Sequence, residues 1–168
     1  GVMDIWQQPL CDMGQTGPDK GAGGKYLILP PGHPGVDAPD HRIFQSPSNQ
    51  VWFGTRGLDP DKAVAEATVR QHRLYSWNDR ANPPVSQYVG VGGRAWESAQ
   101  PNTLDYWRLL AELYANEPVA LRDRMMFGML KPLGIEPGKP FAPDARAAKI
   151  LTDAAQVLGE PLGVGRVP

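Results

Sequence analysis

A single cysteine, Cys11, among 168 residues leaves no internal disulfide to hold the fold. One thiol does not decide the redox compartment, since cytosolic and exported proteins both carry lone buried cysteines. The chain also lacks any run of about 18 apolar residues, so it offers no candidate for a membrane-spanning helix. Charge of one sign is missing too: 17 Lys and Arg stand against 18 Asp and Glu, a net charge of -1. Nucleic acid and anionic membrane surfaces attract basic excess, and neither is expected as a partner. The start, Gly1-Val2-Met3-Asp4, has neither an initiator methionine nor the basic-then-apolar pattern of a signal peptide, so the parent protein is expected to carry more sequence upstream.

Catalytic and cofactor signatures are equally scarce. No G-x-S-x-G elbow is present to present a nucleophilic serine. A P-loop would need G-x-x-x-x-G-K-[ST], but Asp19 stands five residues before Gly24, and Lys25 is followed by Tyr26 and a strand. Gly90-Val91-Gly92-Gly93-Arg94-Ala95 fits G-x-G-x-x-A, yet the stretch from Trp96 to Pro101 is too short for the crossover helix a dinucleotide site requires. His33, His41 and His72 form no i,i+4 pair and have no cysteine cluster beside them. His33 and His41 with a nearby acid such as Asp37 or Asp40 offer nitrogen and oxygen ligands within one loop, and ordinary loop roles outweigh a metal there. No metal and no cofactor are expected.

What the chain does have is glycine and proline, 19 and 18 residues, in an otherwise apolar-rich sequence. That composition predicts many turns and long ordered loops. The densest example runs from Asp12 to Pro31, a loop with Gly14, Gly17, Gly21, Gly23 and Gly24 that leads directly into Lys25-Tyr26-Leu27-Ile28-Leu29. Such a loop implies a shaped backbone, and the short apolar run bounded by glycine and proline predicts a strand. Val2 to Gln8, with Ile5 and Trp6, predicts another strand ending at Pro9. His41–Ser46 and Val51–Arg56 flank Pro47-Ser48-Asn49-Gln50 and predict a hairpin, with Trp52 and Arg56 neighbours on one face.

Beyond Leu58 the period changes. Asp59-Pro60 predicts a helix start, with helix to His72. Residues 73–101, with Pro83-Pro84 and the glycines at 90, 92 and 93, predict a long ordered excursion of the kind that often carries function. Leu104, Trp107, Ala111 and Tyr114 mark an amphipathic helix capped by Asn102 or Thr103 and broken at Glu117-Pro118. A second helix is expected from Pro118 through Leu121, Met125, Met129 and Leu130. A third, opened by Pro143-Asp144, would present Ala147, Ile150, Leu151, Ala154 and Leu158 until Gly159. Strands first and helices later predict an α+β fold: a small antiparallel β-sheet, then three to four short helices. Residues 1–101 would form the β-rich part and 102–168 a helical part packed on it, together one domain.

Several of these pieces, in this order, resemble the bacterial proteins grouped as domain of unknown function family 1254, which usually continue into family 1214. They are the loop from Gly14 to Tyr26, Leu29-Pro30-Pro31-Gly32, Ser46-Pro47 before Val51-Trp52, Arg56, and the stretch Gly134-Ile135-Glu136-Pro137-Gly138-Lys139-Pro140-Phe141. The resemblance implies a fragment of a longer protein with a β-sandwich or jelly-roll-like part, periplasmic or secreted in its parent, and it implies no assigned activity. So few strands leave exposed edges, which predicts a homo-oligomer or a missing partner segment.

The site candidates follow from the loop. Asp12, Asp19, Lys20 and Arg56 are the catalytic candidates, because a carboxylate in a glycine-shaped loop near an arginine fork could act as a base or hold a polar substrate. Gly14, Gln15, Lys25, Arg42 and Trp52 are the matching binding candidates. The competing reading needs no ligand: Asp12 and Asp19 would bond loop amides, and Arg56 would stack on Trp52. Tyr106, Trp107 and Tyr114 at helical spacing, and Met125, Met126 and Met129, are read as packing residues rather than as a sugar platform. Cys11 is read as a structural thiol. Two functions remain: a non-catalytic module that binds a polar small molecule or builds an oligomer, or a hydrolase-like enzyme with its site between loop 12–25 and the excursion 73–101.

Overall fold

The computed structural model describes residues 1–90, 92–93 and 100–159. The chain has the expected α+β composition, with five short strands and then four α-helices among the described residues, and it divides into two compact units, Gly1–Gly92 and Gly93–Pro168. Among the described residues, no helix is long and apolar enough to cross a membrane.

In the first unit the strands form two sheets. β1 (Val2–Asp4) lies between β2 (Pro9–Cys11) and β5 (Val51–Phe53), antiparallel to both. β3 (Tyr26–Leu29) and β4 (Arg42–Gln45) form a separate parallel pair in which Tyr26 sits opposite Arg42 and Leu29 opposite Gln45. Residues 30–41 carry the chain back between them, the dozen or so residues that a parallel crossover requires. Leu27, Leu29 and Ala38 are buried together, with Val36 and Trp77 packed against them.

Two strand expectations are corrected. Val2–Gln8 is not one strand but the first arm and turn of a hairpin. The buried Asp4 makes the turn, its amide donating to the Gln8 carbonyl (2.9 Å) while its Oδ1 accepts the Gln8 amide (2.8 Å), with Gln7 at φ 62°. Pro9 is tolerated because β2 is an edge strand, where a missing N–H costs no ladder bond.

The second correction concerns the predicted 41–56 hairpin, whose arms belong to different sheets. Buried serines in the connection decide this. Ser46 Oγ donates to the Ser48 carbonyl (2.7 Å) and accepts the Ser48 amide (3.1 Å). Ser48 Oγ donates to the Gln50 carbonyl (2.6 Å) and accepts the Ile5 amide (3.2 Å), tying the connection to the N-terminal turn. These bonds direct β5 onto β1.

Helix α1 spans Lys62–Arg70 and is capped by Asp61, whose Oδ1 accepts the Ala63 amide at 2.8 Å, rather than by Asp59, which instead accepts the Asp61 amide. The described residues of the excursion are irregular as expected, apart from a 3-10 turn at Trp77–Asp79. The segment after Gly93 on which the dinucleotide motif depends, 94–99, lies outside the described residues, as does Val91.

In the second unit, α2 (Leu104–Asn116) has the expected Thr103 cap. Trp107 donates its indole N–H to the Leu151 carbonyl at 2.6 Å and meets Tyr106 edge-on, and Tyr114 packs on Phe127, so these aromatics do serve as packing residues. The expected second helix is shorter and broken. A 3-10 turn at Leu121–Asp123 leads into α3 (Arg124–Gly128), and a further turn at Lys131–Leu133 ends at Gly134 in the left-handed region, φ 78°. There the Gly134 amide reaches the Lys131 carbonyl and the Ile135 amide the Leu130 carbonyl, a paired closure that delivers Ile135 to the interior. Met125, Met126 and Met129 are exposed, contrary to their reading as packing residues. Along α4 (Ala145–Gly159) the buried positions are Leu151 and Ala155, while Ile150 and Ala154 face solvent. The side chain of Leu158 lies outside the described residues.

Two substitutions test these connections by urea titration. Ser48→Ala leaves the Ile5 amide and the Gln50 carbonyl without their buried partner, an expected loss of about 1–3 kcal/mol. Gly134→Ala forces an L side chain into the left-handed region, an expected loss of about 1–2 kcal/mol.

Candidate functional site

Asp19 is the centre of the glycine loop. Its buried carboxylate accepts three hydrogen bonds: Oδ1 from the Gly14 amide (2.8 Å) and the Tyr26 hydroxyl (2.6 Å), and Oδ2 from the Gly23 amide (3.1 Å). The glycines supply the backbone this requires, with Gly14, Gly21 and Gly23 all at positive φ. The Tyr26 hydroxyl first, and the loop amides after it, hold the Asp19 carboxyl below its ordinary value of 3.8. Tyr26 is pushed up to about 12, by burial first and by its bond to Asp19 next. Arg42 places its guanidinium over the Tyr26 ring, 5.5 Å from the centroid, and a side chain on Gly24 would run into that guanidinium. Asp19, Tyr26, Arg42 and Gly24 thus lie together, with the Asp19 carboxylate bonded to Tyr26 and the Arg42 guanidinium packed between the Tyr26 ring and Gly24.

The remaining loop candidates do not gather around it. Asp12, Gln15 and Lys20 are exposed, and their side chains make no hydrogen bond or ion pair among the described residues. The predicted stacking of Arg56 on Trp52 is absent. β5 ends at Phe53, Arg56 lies beyond it in an exposed loop, and the Trp52 ring lies against Gly54. Cys11 is buried, and burial raises its thiol pKa above 9.0, which suits a structural thiol.

A different set of side chains converges. Lys25, at the end of the glycine loop, joins residues 37–41 and Tyr75, Trp77 and Arg80 of the excursion around a concavity of about 310 Å³. Lys25 Nζ lies 2.5 Å from Asp40 Oδ2, and Asp40 Oδ1 lies 2.7 Å from His41 Nδ1. His41 meets the Trp77 ring edge-on at 5.2 Å, and the Arg80 guanidinium lies 4.5 Å from the centre of the same ring. The Lys25 ammonium first, and His41 after it, hold the Asp40 carboxyl down at about 2, while Asp40 raises Lys25.

The concavity therefore sits between loop 12–25 and the excursion, where the sequence suggested a site, but of the named candidates only Lys25 lines it. Asp40 and His41 were weighed only as metal ligands, and among the described residues no three His, Cys, Asp or Glu side chains gather to hold a metal. His33 accepts the Gly35 amide at Nδ1, an ordinary loop role. Tyr75, Trp77 and Arg80 were missed. Tyr75 and Trp77 flanked by Arg73 and Arg80 were the available signal, but nothing local says that this turn meets the 37–41 loop.

The loop, both strand ends, the Ser46-Pro47 pair and Arg56 fall within one family match. Residues 1–76 match the family described as Protein of unknown function (DUF1254). The resemblance read from the residues stands over this segment, which carries every lining residue of the concavity up to Tyr75. Trp77, Arg80 and the 134–141 stretch lie beyond the match. No curated protein matches the chain.

The cluster makes a prediction about pH. Because the folded pKa of Tyr26 is raised, the bond it donates contributes fully below pH 10.0 and is lost as the pH climbs through about 12. Asp19 has the opposite sign: its contribution is complete above pH 3.8 and lost as the pH falls beyond that value. Tyr26→Phe is expected to lower the midpoint of thermal unfolding at neutral pH by roughly 5 °C, the scale of one hydrogen bond in a unit of this size. The gap between wild type and variant should close between pH 10.0 and about 12. Midpoints that stay parallel across that range would show that the hydroxyl bond does not contribute.

Proposed function

We propose that the unit Gly1–Gly92, whose residues 1–76 match a family of unknown function, is a non-catalytic module that binds a polar small molecule in the concavity lined by Lys25, Asp40, His41, Tyr75, Trp77 and Arg80. One observation carries the reading: charged and aromatic side chains from three separate segments meet around one concave surface. Aromatic walls with a few converging polar groups are the usual make-up of small-molecule sites.

The hydrolase-like alternative receives less support. Asp19, the strongest candidate base, has its carboxylate committed to the loop amides and Tyr26, and Asp12 and Arg56 stand apart from the concavity.

A second reading, assembly, is favoured by the β3–β4 pair. It is a two-stranded parallel sheet with no further strand on either side among the described residues, and parallel sheets are ordinarily larger and covered. Native mass spectrometry is expected to show more than one copy, and a monomer at micromolar concentration would count against assembly.

Binding is tested by amide NMR of the isotopically labelled chain against a panel of small sugars, carboxylates and amino acids. At least one compound is expected to shift residues 37–41 and 75–80 saturably, and Lys25→Met should weaken it by about tenfold, the effect of one charge-assisted contact. Shifts confined to residues 12–20 and Arg56, or none, would overturn the reading.

A further inference from the structure

Two charges lining the concavity have no ion-pair partner among the described residues, and they are opposite in sign. Lys25 and Asp40 neutralise each other at 2.5 Å, whereas Asp37 and Arg80, on the same wall, make no ion pair among the described residues. Arg80 donates one hydrogen bond, from Nη1 to the Trp77 carbonyl at 3.0 Å, and rests on the Trp77 ring. A guanidinium has five N–H donors, so most of its fork stays open to a planar acceptor such as a carboxylate. Asp37 is exposed and makes no hydrogen bond among the described residues.

Charge arithmetic narrows the ligand. A simple anion would satisfy Arg80 but bring its charge near Asp37 and Asp40, and a simple cation would satisfy Asp37 but face Arg80 and Lys25. In both cases repulsion offsets much of the gain. A molecule carrying both charges on one short skeleton pairs with each at once and leaves the net charge of the site unchanged. The volume, about 310 Å³, is at the small end for ligand sites and calls for a short skeleton.

We propose that the concavity binds a small amino-acid-like zwitterion, its carboxylate on the Arg80 guanidinium and its ammonium on the Asp37 carboxylate. This rests on the binding reading above and names the ligand class.

The test titrates glycine, β-alanine, γ-aminobutyrate, propionate and ethylammonium separately into the labelled full chain, reading the amide signals of residues 37–41 and 75–80. At least one zwitterion is expected to bind about tenfold or more tightly than both propionate and ethylammonium. Asp37→Asn should abolish the preference over propionate, and Arg80→Gln the preference over ethylammonium. Both positions are exposed, and unchanged signals elsewhere would confirm that each variant is folded. If propionate or ethylammonium binds as tightly as the zwitterions, the ligand class is overturned while the binding site stands. If none of the five shifts these signals but a neutral sugar does, the outcome is the same. If nothing shifts them at millimolar concentration, the class and the binding reading fail together.

Discussion

The glycine loop is held by one carboxylate. Asp19 draws in the amides of Gly14 and Gly23 and the hydroxyl of Tyr26, so three points spread along the loop close on a single buried anion. That closure explains why glycine recurs there: the amides can point inward only if the backbone adopts positive φ, which residues bearing a Cβ resist. It also explains why the loop runs straight into β3, since Tyr26 is both the donor to Asp19 and the first residue of that strand. Lys25, one residue earlier, is thereby aimed at Asp40 and the concavity.

The same closure separates structural from functional chemistry. A carboxylate saturated by amides and a phenol is a poor general base, because its lone pairs are taken and its proton affinity is lowered. The cluster of Asp19, Tyr26, Arg42 and Gly24 works as a joint, and of these four residues none lines the concavity. Around the concavity, by contrast, Asp37 and Arg80 retain uncommitted charge, and Trp77 links the site to the buried Leu27, Leu29 and Ala38.

Local patterns were legible wherever one element explains itself. The run Lys25–Leu29, the Thr103 cap, the periodicity of α2 and the opening of α4 near Asp144 all depend on neighbours within a few residues, and all appear in the fold. Pairing was not legible. The 41–56 segment looked like a hairpin because its two arms are close in sequence, but Ser46 and Ser48 bond each other, Gln50 and the Ile5 amide, and send the second arm to β1. Ile150 looked interior from its chemistry, although the buried face of α4 runs through Leu151 and Ala155 instead.

The sequence by itself determined the α+β composition, the kinship of residues 1–76 and the existence of a shaped loop at 12–25, because propensity, capping and turn chemistry act over short distances. Tertiary structure alone decided that Asp19 serves the loop, that Arg56 stands apart from Trp52, and that Lys25, Asp37, Asp40, His41, Trp77 and Arg80 share one wall. The last of these outcomes depends on packing between residues tens of positions apart, and no local pattern encodes which of them meet; the first two turn on which of several nearby partners a side chain takes, a choice that spacing alone leaves open.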